Sequence, residues 1–163
     1  MKNLFFFMAL LCLASTAHSQ SFNSAVGLRL GTPFAVSYKT FISEDAAIEG
    51  YLGYRNYGYG FGLRSSTWLS VNGLYQIHND IESLDGLQWY YGGGAGIHNF
   101  SYAGASTTFF GVTGVVGLSY TLEDLPLNVS IDWVPGVFIG GGGSGVGGFG
   151  GGYFGLAARY VLN

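Results

Sequence analysis

"LNVSIDW", residues 127 to 133, is the stretch that decides the fold class. Leu127, Val129, Ile131 and Trp133 are large and apolar, while Asn128, Ser130 and Asp132 between them are polar. A period of two belongs to a β-strand, whose successive side chains point to opposite faces. Such a strand stands either between an apolar core and water, or between lipid and a polar interior. The rest of the chain determines which.

Working outward, seven further segments carry the same alternation. About 22–31 sets Phe22, Val26, Leu28 and Leu30 against Ala25, Gly27, Arg29 and Gly31; about 34–42 sets Phe34, Val36, Tyr38 and Ile42 against Ala35, Ser37, Lys39 and Phe41. About 47–55 sets Ile48, Gly50, Leu52 and Tyr54 against Glu49, Tyr51, Gly53 and Arg55. About 67–78 sets Leu69, Val71, Tyr75 and Ile77 against Ser70, Asn72, Gln76 and His78, with Trp68 and Leu74 interrupting the polar series. About 87–97, 108–120 and 152–162 repeat the pattern, the last two with Thr113, Ser119 and Arg159 on the polar side. Spans of this length suit tilted membrane strands of about 9–11 residues.

The charges test the assignment. Arg29, Lys39, Glu49, Arg55, Asp132 and Arg159 all fall on the small and polar face. An Arg or Lys facing lipid at the midplane costs roughly 2–4 kcal/mol, so this parity fits a membrane barrel with a polar interior. With Asn72, Gln76, Asn128 and Ser130 these residues form the expected lumen network, in which Glu49 pairs with Lys39 or Arg29 across neighbouring strands. Tyr51, Tyr90 and Tyr153 fall on the same face and are expected to fill the interior, with the glycines at 92, 94 and 96 leaving space.

Composition agrees. Charged residues are 9% of the 163, against about 25% in ordinary soluble domains. Hydrophobic residues at 48% and aromatic residues at 17% exclude a disordered tail. Six Lys and Arg and a net charge of -3 give no basic patch for nucleic acid. The mean hydropathy of all 163 residues is +0.32, yet residues 20–163 contain no helical apolar run, so entry into a membrane requires a closed barrel with no unpaired sheet edge.

Residues 1–19 read as a signal peptide: Met1-Lys2-Asn3, the apolar run Leu4 to Leu13, and a small-x-small site at Ala17-His18-Ser19. Residues 20–163 form the barrel domain. Cys12 follows Leu11 rather than the small residue of a lipoprotein box and leaves with the signal, so the mature chain has neither disulfides nor thiolate ligands.

The remaining acids, Glu44 and Asp45, then Asp80, Glu82 and Asp85, then Glu123 and Asp124, occupy the connections after the second, fourth and sixth strands. They share one end of an up-and-down barrel and are read as its short periplasmic turns. The connections at about 56–66, 99–107 and 135–150 are read as external loops, and the Gly-rich run 140–152 is read first as a mobile external loop, the competing reading being a contact surface for an unknown extracellular partner with Phe138 and Phe149 as its apolar anchors. That run and "GGGAG" lack the Lys-Ser/Thr and the helix of a phosphate loop.

"GLRLGTPFAVSYKTFISEDAAIEGYLGYR", "LQWYYGGGAGI" and "PLNVSIDWVPG" resemble the small eight-stranded outer-membrane β-barrel proteins of Gram-negative bacteria, of the OmpA/OmpX-like class. The resemblance spans essentially the mature chain. It implies an all-β, eight-stranded antiparallel up-and-down transmembrane barrel, monomeric, in the cell outer membrane, with outer-membrane lipids and the barrel-assembly machinery as partners. It carries no catalytic motif, cofactor or metal site. One departure is the C-terminus, where Val161-Leu162-Asn163 stands in place of the family's terminal aromatic residue.

The function expected is therefore non-enzymatic, a structural or surface-interaction role, with a narrow pore for small solutes as the alternative. A rim enzyme would have to use His98 with Ser101 or Ser106, and no acid lies nearby. His78 and His98 are read as interfacial residues at opposite ends. A soluble ligand-binding barrel is the structural competitor.

Overall fold

A computed structural model describes residues 23–31, 33–58, 66–102, 104–122, 124–140 and 149–162, with the backbone alone at 57, 149–151 and 153. The expected signal segment, Glu123, the side chains of Tyr153 and Phe149, and the centre of the Gly-rich run lie outside the described residues.

Eight strands follow in chain order: β1 (Ser24–Leu30), β2 (Phe34–Phe41), β3 (Ala46–Tyr57), β4 (Ser66–Asp80), β5 (Leu87–Tyr102), β6 (Ala105–Thr121), β7 (Leu127–Gly140) and β8 (Phe149–Leu162). Each pairs antiparallel with the next. The barrel closes where β1 meets β8, from Ser24↔Leu162 to Leu30↔Leu156. Closure removes the two sheet edges, whose free N–H and C=O groups invite aggregation.

The alternation in the sequence becomes an inverted distribution of polarity. Leu52, Phe110 and Phe154 stand outward at 60%, 60% and 74% exposure, while Lys39, Glu49, Gln76 and Arg159 are fully buried inside. A water-soluble protein does the reverse with its charges. In the lumen Ala35, Tyr51, Leu74, Tyr90, Val115 and Val134, from β2 to β7, form one cluster of buried apolar contacts. Leu74 is inward, as its place in the polar series requires; Val115 and Val134 share the inner face and add apolar packing.

Three local readings change. Residues 99–107 are not a long loop: β5 runs to Tyr102 and β6 starts at Ala105, with Gly104 at φ 86° in the tight connection. Polar Asn99, Ser101, Ser106 and Thr108 are held in strand by ladder pairing rather than by their own weak β preference. Second, β7 continues through Pro135 to Gly140. Proline has no N–H to give the ladder, and the β7–β8 register slips between Val134 and Gly136. Gly152, opposite, takes φ 88°, where a Cβ would press on the Trp133 indole and on Pro135. Third, the glycines at 92 and 94 do not hold space open. A Cβ there would run into the carbonyl oxygens of Tyr75 and Gly73 on β4, so glycine lets two strands approach closely.

Glu44, Asp45, Asp80, Glu82, Asp85 and Asp124 share one end with Ser24 and Leu162. That end is called the acidic end below.

Candidate functional site

The lumen is where the fold buries charges of both signs together. Lys39 and Glu49 are register partners on β2 and β3, so their side chains emerge together on the inner face. Lys39 Nζ lies 3.8 Å from Glu49 Oε2, and Gln76 Nε2 donates to the same oxygen at 2.8 Å. The other oxygen, Oε1, accepts from Arg159 Nη2 at 2.5 Å and from Arg29 Nη1 at 3.3 Å. One carboxylate therefore joins β1, β2, β3, β4 and β8. Arg29 is not on a strand neighbouring β3, so this pair crosses the lumen rather than lying along a ladder as expected.

Asp132 is the second anchor. It accepts from Arg29 Nη2 and from Tyr90 OH, the latter at 2.7 Å. Arg159 also donates to Ser37 Oγ at 3.0 Å and Ser130 Oγ at 2.8 Å, and approaches Asn128 Oδ1 at 3.5 Å. Asn128 Nδ2 donates to Ser119 Oγ at 2.9 Å and Thr121 Oγ1 at 3.0 Å. The Arg29 guanidinium lies 5.0 Å from the Tyr51 ring centroid, and Lys39 Nζ 4.5 Å from that of Tyr90. Cations over aromatic faces gain quadrupole attraction that grows when water is excluded.

Of the expected network, Arg29, Lys39, Glu49, Gln76, Asn128, Ser130, Asp132 and Arg159 meet in this cluster. Asn72 is buried on the inner wall, but its Oδ1 has no partner. Arg55 is half-buried near the opposite end of β3 from Ala46. Sequence reading gave no role to Ser37 or Ser119, although both lie on the polar face; what it lacked was the pairing register.

The histidines are not interfacial. His78 is buried toward the acidic end, stacked on Tyr90 at 4.8 Å and tilted against Phe41 at 4.9 Å. Its Nδ1 is 3.1 Å from Gln88 Oε1 and its Nε2 3.3 Å from Gln76 Oε1. Gln88 Nε2 in turn donates to Asp80 Oδ1 at 2.7 Å. Both atoms that face the ring are acceptor oxygens, so a neutral His78 donates to one of them only. His98 is buried toward the other end, where its Nδ1 accepts from Trp68 Nε1 at 3.3 Å and Phe138 meets it edge-on at 5.0 Å. Phe138 thus points into the lumen and is not an anchor of an external loop.

The rim-enzyme arrangement is absent from these residues. Ser101 lies on the opposite face of β5 from His98, and its hydroxyl is 2.7 Å from Ser106 Oγ. Because Trp68 donates to Nδ1, a neutral His98 carries its proton on Nε2 and has no free lone pair with which to take one from serine. Among the described residues no three His, Cys, Asp or Glu side chains are placed to hold a metal ion.

No model of a known protein family matches the chain, and no curated protein matches it in sequence. Solved structures do. Neisserial surface protein A superposes with a TM-score of 0.62 at 12% identity, over 85% of this chain and 93% of that one. Ail, the attachment invasion locus protein of Yersinia pestis, gives 0.48 at 14% identity, over 85% and 95%. The first likeness establishes a shared eight-stranded barrel fold, in line with the resemblance read from the sequence.

Proposed function

We propose that this protein is an integral outer-membrane barrel with a non-enzymatic structural or surface-interaction role. The observation that carries the reading is the cross-lumen ion cluster wrapped in an apolar exterior. Buried Arg29, Lys39 and Arg159 converge on Glu49 and Asp132 and tie non-adjacent strands together, while Leu28, Leu52, Val71, Ile97 and Phe110 face outward. An eight-stranded barrel has room for little more than its own side chains, and here they bond across the axis. The outside is then solvated by acyl chains, the acidic end faces the periplasm, and the opposite loops face the exterior.

Outer-membrane fractionation and heat-modifiable gel migration test the location: a chain that stays dispersed without detergent contradicts it. Planar-bilayer recording tests the role. The plugged barrel is expected to give no discrete openings, and openings in the unaltered protein, abolished by changing Arg29 or Asp132, would replace this reading with the narrow-pore alternative.

A further inference from the structure

The apolar belt on the outside of the barrel is uneven in height. Leu28 pairs with Val36, and that ladder row continues through Leu52, Val71, Ile97 and Phe110 to Ile139 on β7. All of these side chains are exposed on the outer face. The other way round, Leu28 pairs with Ala158 on β8, and Ala158 with Val129 on β7. One circuit of the sheet therefore carries a row from Val129 to Ile139, ten residues farther from the acidic end. Rows climb because the strands of a closed barrel are tilted and staggered.

The outer boundary of the belt climbs with them. On β5 and β6 the outward positions beyond Ile97 and Phe110 turn polar, where Asn99 Nδ2 donates to Thr108 Oγ1 at 3.2 Å and Ser101 Oγ lies 2.7 Å from Ser106 Oγ. On β7 the apolar series runs through Val137 to Ile139. On β1 it stops at Leu30, two residues past Leu28, and the chain turns back into β2 at Phe34. Six of the eight strand-to-strand steps separate β1 from β7. The row gains about seven residues on the way, so Ile139 ends about five beyond Leu30, roughly 12 Å along the barrel axis for a rise of ~3.3 Å per residue and a tilt of ~45°.

A flat leaflet cannot suit both flanks. Hydrocarbon reaching to Ile139 everywhere would immerse the β1–β2 connection, whose backbone lies beyond the last ladder pairs, and lipid does not tolerate irregular backbone of that kind. Hydrocarbon stopping at Leu30 would leave Val137, Ile139 and Phe110 in water. We infer that the barrel thins the outer leaflet beside β1 and β2, so that acyl chains end near Leu30 and Phe34 there and near Phe110 and Ile139 beside β6 and β7. A bilayer yields to a short apolar span by thinning, at modest cost per ångström. The inference rests on the outer-membrane reading and adds to it a lipid-deforming flank next to the β1–β8 seam, with the filled lumen untouched.

Nitroxide labels on the full chain in dioleoyl phosphatidylcholine vesicles test it, with Cys12→Ser removing the single cysteine. Leu30→Cys and Ile139→Cys mark the outer boundary, and Ile42→Cys and Leu127→Cys the acidic end on the same two flanks. Depth is read from collisions with oxygen against a water-soluble nickel chelate. The two outer labels are expected at the same depth below the lipid surface, within about 3 Å, one residue's rise along a strand, and the two acidic-end labels should agree as closely. A Leu30 label about 12 Å deeper than the Ile139 label, or an Ile139 label in water, means a flat leaflet and overturns the inference. Agreement of the outer pair with disagreement of the acidic-end pair means that the whole barrel tilts, and overturns it too. Heat-modifiable migration verifies folding of each labelled sample; Leu28→Cys and Val137→Cys, each two residues nearer the acidic end, replace an outer label that blocks it. A chain that does not float with the vesicles overturns the membrane reading and this inference with it, and flotation tells that failure apart from a flat or tilted fit.

Discussion

Replacing Glu49 by alanine isolates the lumen cluster. The carboxylate is fully buried and answers Arg29, Arg159, Gln76 and Lys39. Without it, three buried cations are left with Asp132 as their remaining carboxylate in the cluster, and Arg159 loses its only ion-pair partner there. Removing one partner from a buried ion pair costs about 3–5 kcal/mol, because the other charge stays desolvated. Glu49→Ala is therefore expected to lower stability by about 3–5 kcal/mol. Glu49→Gln, which keeps an acceptor for Arg159 but loses the charge, should cost about 1–3 kcal/mol. Glu49→Leu combined with Lys39→Met removes one charge of each sign and should be milder than Glu49→Ala alone. Urea titration of the chain folded in micelles, read by tryptophan emission and by gel migration, gives these numbers. If Glu49→Ala shifts stability by less than about 1 kcal/mol, the cluster is not holding the barrel together and the reasoning fails.

Other outcomes follow from single positions. Gly94→Ala drives a methyl into the Gly73 carbonyl and should prevent the heat-modifiable fold, whereas Gly73→Ala, with nothing within 4 Å of the new Cβ, should be silent in the same gel. Val71→Arg places a charge on the apolar exterior and is expected to cost about 2–4 kcal/mol in lipid vesicles, so a variant as stable there as the unaltered chain would refute the membrane reading. Gly152→Ala imposes a side chain at φ 88°, and a loss of about 1 kcal/mol or more is expected in urea titration. No loss there would mean that the slip opposite Pro135 can be relieved without glycine.

The face of each strand was legible because a β-strand writes its two sides in alternate letters, and Arg29, Lys39, Glu49, Asp132 and Arg159 each occupy the letter that points inward. What alternation does not contain is which residues meet across the axis. Lys39 and Glu49 are ladder neighbours, close to inferable from adjacent strands; Arg159 and Glu49 are separated by 110 residues and meet only because the sheet closes. The end of β7 was hidden by Pro135, which stops a strand unless the partner bulges, and the bulge needs Gly152 some way ahead. The β5–β6 hairpin was hidden by Asn, Ser and Thr, which favour turns unless pairing overrides them. His78 and His98 were assigned from distance to the strand ends alone, while their inward parity already placed them in the lumen.

The long separation between Glu49 and Arg159 also bears on the order of assembly. The ion pairs of Glu49 with Arg29 and Arg159 and of Asp132 with Arg29 draw their cations from β1 and β8, the two strands whose pairing closes the barrel. They form only when those strands dock, so a lesion at Arg159 should slow closure more than it slows hairpin formation.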